Sequence, residues 1–282
     1  MHTKLSWRKI SNLILLLFLL LLFISIGLKT MQEQARYNSL PDKLSDHAGF
    51  RSQQYNEKIM NFFSKGNIVY KYAMLYSLET SFGERDFLWP YDEQTFASLE
   101  QKWKSCRHYP KIEQVYQSLW QDLSFFPVPE SLQGNENVTF ADSWMNERTY
   151  GGKRGHEGTD LMAAENIRGY YPVVSMTDGV VESMGWLEKG GYRIGILAPH
   201  GGYFYYAHLD SYASLQEGDE VQAGEILGYM GDSGYGPEGT IGMFPVHLHV
   251  GIYLYEDNLE VSVNPYWMLR YLSEHKLKCI YS

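Results

Sequence analysis

Cysteine is almost absent from this chain of 282 residues, which contains only Cys106 and Cys279. Two cysteines so far apart could pair outside the cytoplasm, but a metal site here would not draw on thiolates. Basic residues are also in deficit, because 24 Lys and Arg stand against 33 Asp and Glu, for a formal net charge of −9. This charge argues against nucleic acid as a partner and against binding through bulk attraction to anionic polymers.

Two familiar motifs are incomplete. The glycine-rich segment 231–242 lacks the G-K-[ST] ending of a phosphate-binding loop. Segment 215–225 resembles the turn of lipoyl- and biotinyl-type barrels, but no lysine lies at its tip, so a swinging-arm carrier is not expected. Residues 231–242 are instead interpreted as one wall of a binding groove, where glycines let a ligand approach the backbone closely.

A long apolar run at residues 10–28 dominates the N-terminus. It is long enough to span the hydrocarbon core of a membrane, and it lacks the amphipathic stripe of a surface helix. Lys4, Arg8 and Lys9 precede it, and the positive-inside rule then places residues 1–9 in the cytoplasm.

A cleaved signal peptide is the alternative interpretation of this run. The run is longer than a usual h-region, however, and residues 25–30 contain no convincing A-x-A cleavage site. The sequence therefore predicts an uncleaved signal anchor, with everything after Lys29 outside the cytoplasm and the membrane contacted through this helix.

The region 30–128 shows apolar residues at helical spacing. Helices are predicted over 45–64 and 68–81, and apolar stripes predict two more over 96–103 and 112–123. We interpret the region as a small α-helical spacer. The alternative is a membrane-proximal domain that holds the next domain off the membrane, gates its groove, or contacts other envelope proteins.

Turn signals divide the chain further. A turn is expected at residues 89–92, and the proline- and glycine-containing segment 126–137 marks the boundary to the next domain.

The pattern over residues 138–270 is that of short β-strands separated by glycine turns. Strands are predicted at 173–177, 179–186, 192–198, 203–208, 219–229 and 246–255. Such a pattern predicts an all-β domain, either a sandwich or a partly open barrel, followed by a C-terminal tail at 271–282.

The motif His247-Leu248-His249 lies in the last of these strands. Successive side chains of a strand point to opposite faces, so the two histidines share one face while Leu248 points to the other. Two adjacent imidazoles pack poorly in a core and bind metal well. For this motif alone, a pair of surface histidines is the favoured interpretation.

A second cluster, about ninety residues upstream, changes that balance. His156 and Asp160 lie in a glycine-rich segment that favours a loop entering a strand rather than a helix. Imidazole nitrogen and carboxylate oxygen are ordinary zinc ligands, and catalytic zinc sites keep three protein ligands and leave one position for water. These two residues and one histidine of the H-x-H pair would complete such a set.

A third signal is the aromatic-rich strand that begins near Tyr203 and delivers His208 at its end. Taken alone, His208 would be an ordinary strand-end histidine. Together the three segments supply four histidines and one aspartate.

The combination H-E-G-T-D, Y-A-H-L and H-L-H resembles the lysostaphin/LytM-type zinc endopeptidases, which cut peptide bonds in peptidoglycan stems or cross-bridges. The resemblance covers residues 140 to 268, and its motifs occur in the family's order. It implies an antiparallel β-sheet crossed by a groove (the duplicated hybrid motif fold) and one Zn²⁺ per chain. The zinc ligands it implies are His156, Asp160 and His249, and the catalytic histidines are His208 and His247.

Zinc of this kind makes a hydroxide-like nucleophile available at neutral pH. One catalytic histidine would accept the proton of the water, and the other would stabilise the oxyanion or protonate the leaving amine, with the roles left open. Glu157 is a competing general base, but H-E-x-x-H proteases place that glutamate on a helix. Here Glu157 is expected to support the loop.

Three tyrosines, Tyr150, Tyr192 and Tyr235, are candidates for lining the groove, although packing roles would explain them equally. The expected function is a membrane-anchored peptidoglycan endopeptidase with its catalytic domain outside the cytoplasm. The alternative is a zinc-bearing, non-catalytic interaction protein of a cell-division, secretion or sporulation envelope complex. The complete five-residue set favours the enzyme.

Overall fold

The structure is a computed structural model that describes residues 7–38, 40, 43–63, 68–87, 92–134, 138–256 and 259–281. Lys4, residues 89–91 of the expected turn and residues 135–137 of the expected domain boundary lie outside these ranges.

The first described element is a helix, α1 (Trp7–Asn38). Its stretch Trp7–Arg36 is long and apolar enough to cross a membrane, and its most apolar window is not buried against the rest of the chain. The helix contains the expected span 10–28 and continues beyond it, because neither proline nor glycine interrupts residues 29–38.

Short helices form the next region. They are a 3₁₀ turn (Leu44–Asp46), α2 (Ala48–Ser52), α3 (Glu57–Phe63), α4 (Val69–Glu79), α5 (Glu93–Lys104) and α6 (Tyr109–Trp120). The last three confirm the helices expected at those places. The single helix expected over 45–64 is wrong, because Gln53 adopts a left-handed φ of 44° and ends α2.

Aromatic side chains fill the core of this helical region. Trp103 and Tyr116 are fully buried, and Trp120 is almost so. The region packs directly on the β-domain, where the backbone of Gly202 lies against the carbonyl of Ser118 so closely that a side chain would not fit. The helices and the sheet therefore share one continuous core.

The remainder of the chain is mostly β-structure. In the described part its elements are β1 (Glu130–Ser131), β2 (Val138–Thr139), β3 (Glu147–Arg148), β4 (Arg154–Gly155), β5 (Thr159–Ala163), β6 (Pro172–Val174), β7 (Gly179–Leu187), β8 (Gly191–Leu197), β9 (Tyr203–Tyr212), β10 (Glu220–Val221), β11 (Ile226–Met230), β12 (His247–Glu256), β13 (Leu259–Val263), α7 (Tyr266–Leu272) and β14 (Lys278–Cys279). The all-β expectation for this half is confirmed.

The main sheet is antiparallel and runs in the order β10-β7-β8-β9-β12-β5-β2, with β11, β6 and β13 attached to it. Its strands alternate as the sequence pattern predicts. Ile194, Phe204 and Tyr206 point into the core with no exposed surface. The residues between them point to the opposite face, which forms the floor of a groove.

One expectation about this half needs correction. The strand expected over 219–229 is two strands, β10 and β11, because a turn at 222–225 closes with a bond from the Glu225 amide to the Gln222 carbonyl. The C-terminal tail expected at 271–282 packs on the rest of the chain over its described residues 271–281, because β14 pairs in parallel with β1 and Tyr281 is buried. Cys106 and Cys279 form no disulfide with each other.

Candidate metal centre

Strand pairing brings two of the expected ligands together. His249 on β12 lies opposite Asp160 on β5 and, on its other side, opposite Ala207 on β9. His247 and His249 share a face, as their spacing predicts, and that face is the groove.

The loop before β5 supplies the third ligand, His156. Gly158 lies between His156 and Asp160 in the chain. A Cβ at this position would collide with the imidazole of His249 and lie 2.7 Å from the Val250 carbonyl oxygen. Glycine at 158 therefore lets the loop pass close enough to place His156 beside His249.

The three donor atoms form a triangle. His156 Nε2, Asp160 Oδ1 and His249 Nδ1 lie 3.0 Å from one another along every side. Ligands bound tetrahedrally to zinc at its usual bond lengths are about 3.3–3.6 Å apart. The cluster thus has nearly the size, and the nitrogen and oxygen donors, that a zinc ion requires.

The surroundings keep Asp160 ionised and His249 neutral. Although burial acts to raise the pKa of Asp160, hydrogen bonds from His156 and His249 hold it well below its ordinary value. Burial lowers the pKa of His249, so its imidazole stays neutral. An ionised carboxylate beside a neutral imidazole is a good cation-binding pair.

Two residues that sequence reasoning missed support the ligands. The Ser143 hydroxyl is 3.0 Å from His156 Nδ1 and so orients that ring. The Arg148 guanidinium donates to Asp160 Oδ2 at 2.6 Å, which leaves Oδ1 facing the cluster. Ser143 lies on an irregular segment and Arg148 on a two-residue strand, so no spacing or periodicity points to either.

His208 reaches the groove through an irregularity of β9. Regular alternation would turn it to the core side, with Tyr206. A bulge at this position shifts the register against β8, and His208 adopts a left-handed φ of 64°. Its side chain consequently lines the groove.

Both non-ligand histidines are held in one tautomer. His208 Nδ1 is 2.7 Å from the Ser233 carbonyl oxygen, and His247 Nδ1 is 2.8 Å from that of Pro245. A carbonyl only accepts, so each Nδ1 carries the proton and each Nε2 has a free lone pair. Burial lowers the pKa of both rings, and their centroids lie 4.7 Å apart.

Aromatic residues wall this end of a groove of about 760 Å³. Phe244, which sequence reasoning missed, lies with its ring centroid 4.6 Å from that of His208 and 4.9 Å from that of His247. Tyr235 also lines the groove, and Tyr150 stacks on it with centroids 4.2 Å apart.

Tyr192 does not line the groove. Its side chain points to the other side of β8 and packs between Trp186 and Tyr212, with centroids 5.1 and 5.8 Å away. We therefore withdraw it as a candidate for substrate contact. Glu157 borders the groove, where it is bound at 3.0 Å to Arg51 of α2.

Comparison with known proteins finds two families along the chain. The model of Peptidase family M23 matches residues 154–265, and the model of the LytM N-terminal domain matches residues 35–122. A solved structure of lytM from Ruminococcus gnavus ATCC 29149 is 52% identical, with a TM-score of 0.80 over 84% of this chain and 94% of that chain.

Two curated relatives are similar over shorter stretches. The chain is 42% identical over 146 residues to the L-Ala–D-Glu endopeptidase of Bacillus subtilis (strain 168), an alignment that covers 51% of this chain and 42% of the relative. It is 30% identical over 116 residues to glycyl-glycine endopeptidase ALE-1 of Staphylococcus capitis, covering 38% of this chain and 31% of the relative. The chain thus spans less than half the length of either.

Proposed function

The chain belongs to peptidase family M23, and on that premise we propose that it is a membrane-anchored zinc metalloendopeptidase that hydrolyses peptide bonds of peptidoglycan. The observation that carries the proposal is the convergence of five residues in one groove: His156, Asp160, His249, His208 and His247. A non-catalytic relative would need the first three at most.

His156, Asp160 and His249 would hold the metal, one ion per chain, through the three donor atoms that lie 3.0 Å apart. When bound, zinc supplies Lewis-acid activation of water and of the scissile carbonyl. Ser143 and Arg148 orient two of the three ligands from outside the cluster.

His208 and His247 would carry the proton transfers. Each ring is neutral. Its Nδ1–H donates a hydrogen bond to a backbone carbonyl, which leaves a free lone pair on Nε2. One ring can accept a proton at Nε2 from the attacking water, and that proton can then pass to the leaving amine, directly or through Nε2 of the other ring. Phe244 packs against both rings, which are buried.

The groove suits an extended peptide. It crosses an antiparallel sheet and is walled by Tyr235, with Tyr150 stacked behind it. The curated relatives are named as endopeptidases for an L-Ala–D-Glu bond and for a glycyl-glycine bond, which supports peptidoglycan peptides as the substrate class.

The N-terminal helix would anchor the enzyme. We assign residues 10–28 to the membrane, 1–9 to the cytoplasm, 30–128 to the extracytoplasmic helical region and 138–270 to the peptidase domain. Supporting this, the apolar part of α1 makes no buried contact with the rest of the chain. The cell membrane, with the peptidase outside, is the location that gives access to the wall.

The proposal is tested by incubating purified full-length protein, in detergent and with zinc, with purified sacculi and analysing the released muropeptides. Wild type should release cleaved peptides, and His247→Ala should release none while keeping its zinc. Zinc-loaded, folded wild type that leaves every sacculus peptide intact would overturn the enzymatic function and favour the interaction protein.

A further inference from the structure

Three cationic side chains in the groove, those of Arg154, Lys189 and Arg193, have no ion-pair partner in the described part of the chain, and that of Arg193 lies on strand β8 of the sheet. The Nη1 atom of Arg193 is buried without a hydrogen-bond acceptor among the described residues. Arg148, in the same groove, is by contrast paired with Asp160. A charged donor without an acceptor is unfavourable, and because the Arg193 side chain is only partly buried and lines the groove, an anion that enters the groove can reach the guanidinium.

Arg193 on β8 and His249 of the metal cluster lie at the same level of the sheet, with strand β9 between them. Arg193 faces the bulge of β9 that contains Ala207, and Ala207 pairs with His249 on β12. Neighbouring strands are about 4.8 Å apart, so two strands separate Arg193 from His249 by roughly 10 Å. An extended peptide advances about 3.3 Å per residue, which makes this distance about three residues of substrate.

Tyrosine side chains form the groove floor beside these two positions. Arg193 and Gly195 are two residues apart on β8 and share the groove face, and the hydroxyl of Tyr203 covers Gly195. The Tyr205 ring centroid lies 6.1 Å from that of His249. Burial raises the pKa of the Tyr205 hydroxyl, and the positive charge of Arg193 opposes that rise.

We propose that Arg193 binds a carboxylate of the substrate peptide, within about three residues of the scissile bond, and so selects acidic stem peptides over uncharged glycine peptides. The inference rests on the proposed endopeptidase function. A guanidinium binds a carboxylate through two parallel hydrogen bonds. A glycine peptide has no side chain to reach Arg193 and leaves it unpaired.

The test uses two synthetic stem peptides of otherwise identical structure. One carries a glutamate side-chain carboxylate, and in the other this carboxylate is replaced by its amide. kcat/KM is measured for full-length, zinc-loaded protein in detergent. Wild type should prefer the acidic peptide by about 10- to 100-fold, the range of a hydrogen bond to a charged group. Arg193→Gln should lose that preference and cleave the amide as wild type does, and Arg193→Lys should keep part of it.

The matched control is Lys153→Gln, which removes one positive charge at a side chain that is 79% exposed and outside the groove lining. It should keep the wild-type preference, and zinc content and thermal unfolding should show that all variants are folded. Equal cleavage of both peptides by wild type, or an equal loss on both in Arg193→Gln, would overturn the role of Arg193 and leave the peptidase function standing. If folded, zinc-loaded wild type cleaves neither peptide nor sacculi, the proposed function fails and this inference fails with it.

Discussion

His249 lies directly opposite Asp160 across strands β12 and β5, with its Nδ1 atom 3.0 Å from Asp160 Oδ1. The pair is therefore positioned by the hydrogen-bond register of the sheet, whereas the third member of the cluster, His156, comes from a loop. Each of the three should be indispensable to a metal that has only three protein ligands.

Replacing any ligand should release zinc. His249→Ala, Asp160→Ala and His156→Ala each leave two protein ligands, and we expect zinc to fall from about one ion per chain to near zero, with activity lost. Metal analysis of the purified protein measures this. Glu157→Gln, in the same groove but bound to Arg51, is the control that should keep its zinc. A ligand variant with full occupancy and activity would show the assignment to be wrong.

Replacing His208 or His247 should separate catalysis from metal binding. Each alanine variant should keep its zinc and fold, because neither ring belongs to the donor triangle, while kcat falls by about 10²- to 10⁴-fold. The double variant should lose less than the product of the single losses if both rings act on one transition state.

His200 is the matched control for that experiment. It lies in the turn between β8 and β9, where its Nδ1 is bound at 2.7 Å to Asp122 of the segment after α6. His200→Ala should keep wild-type turnover. Loss of cleavage in His200→Ala but not in His208→Ala would mean that the catalytic histidine has been misplaced.

Removing the Ser143 hydroxyl should weaken zinc binding without abolishing it. Partners of a ligand histidine typically contribute 10- to 100-fold to metal affinity. The Ser143 carbonyl oxygen is 3.3 Å from the same His156 Nδ1 and can partly substitute for the hydroxyl, so we expect a loss of about tenfold in Ser143→Ala. Competition with a chelator measures it. Ser98→Ala on α5 is the control, and an unchanged zinc affinity in Ser143→Ala would exclude an orienting role.

The N-terminal helix should retain the protein in the membrane with its C-terminus outside. Protease added to cells whose wall has been removed should degrade the peptidase domain, because α1 leaves that domain on the outer side. A protected domain would contradict the orientation, and a soluble form with a new N-terminus near residue 30 would show a cleaved signal peptide.

Local pattern predicted much of this fold. The alternation around His247 and His249 indicated a strand with both imidazoles on one face, and the stripe over 112–123 indicated α6. Patterns did less well where backbone conformation departs from the regular repeat. The left-handed Gln53 divides an expected helix, and Tyr192 points away from the groove it was expected to line.

The sequence by itself determined which residue types can carry the chemistry, because imidazole nitrogen and carboxylate oxygen are ordinary zinc ligands. Only the tertiary structure decided that they do meet, since the register of β12 on β5 and β9 depends on packing along the whole sheet. It also decided that a bulge turns His208 out of the core and that Arg193 stays without a partner in the groove. These contacts join residues that are far apart in the chain, so local sequence periodicity does not predict them.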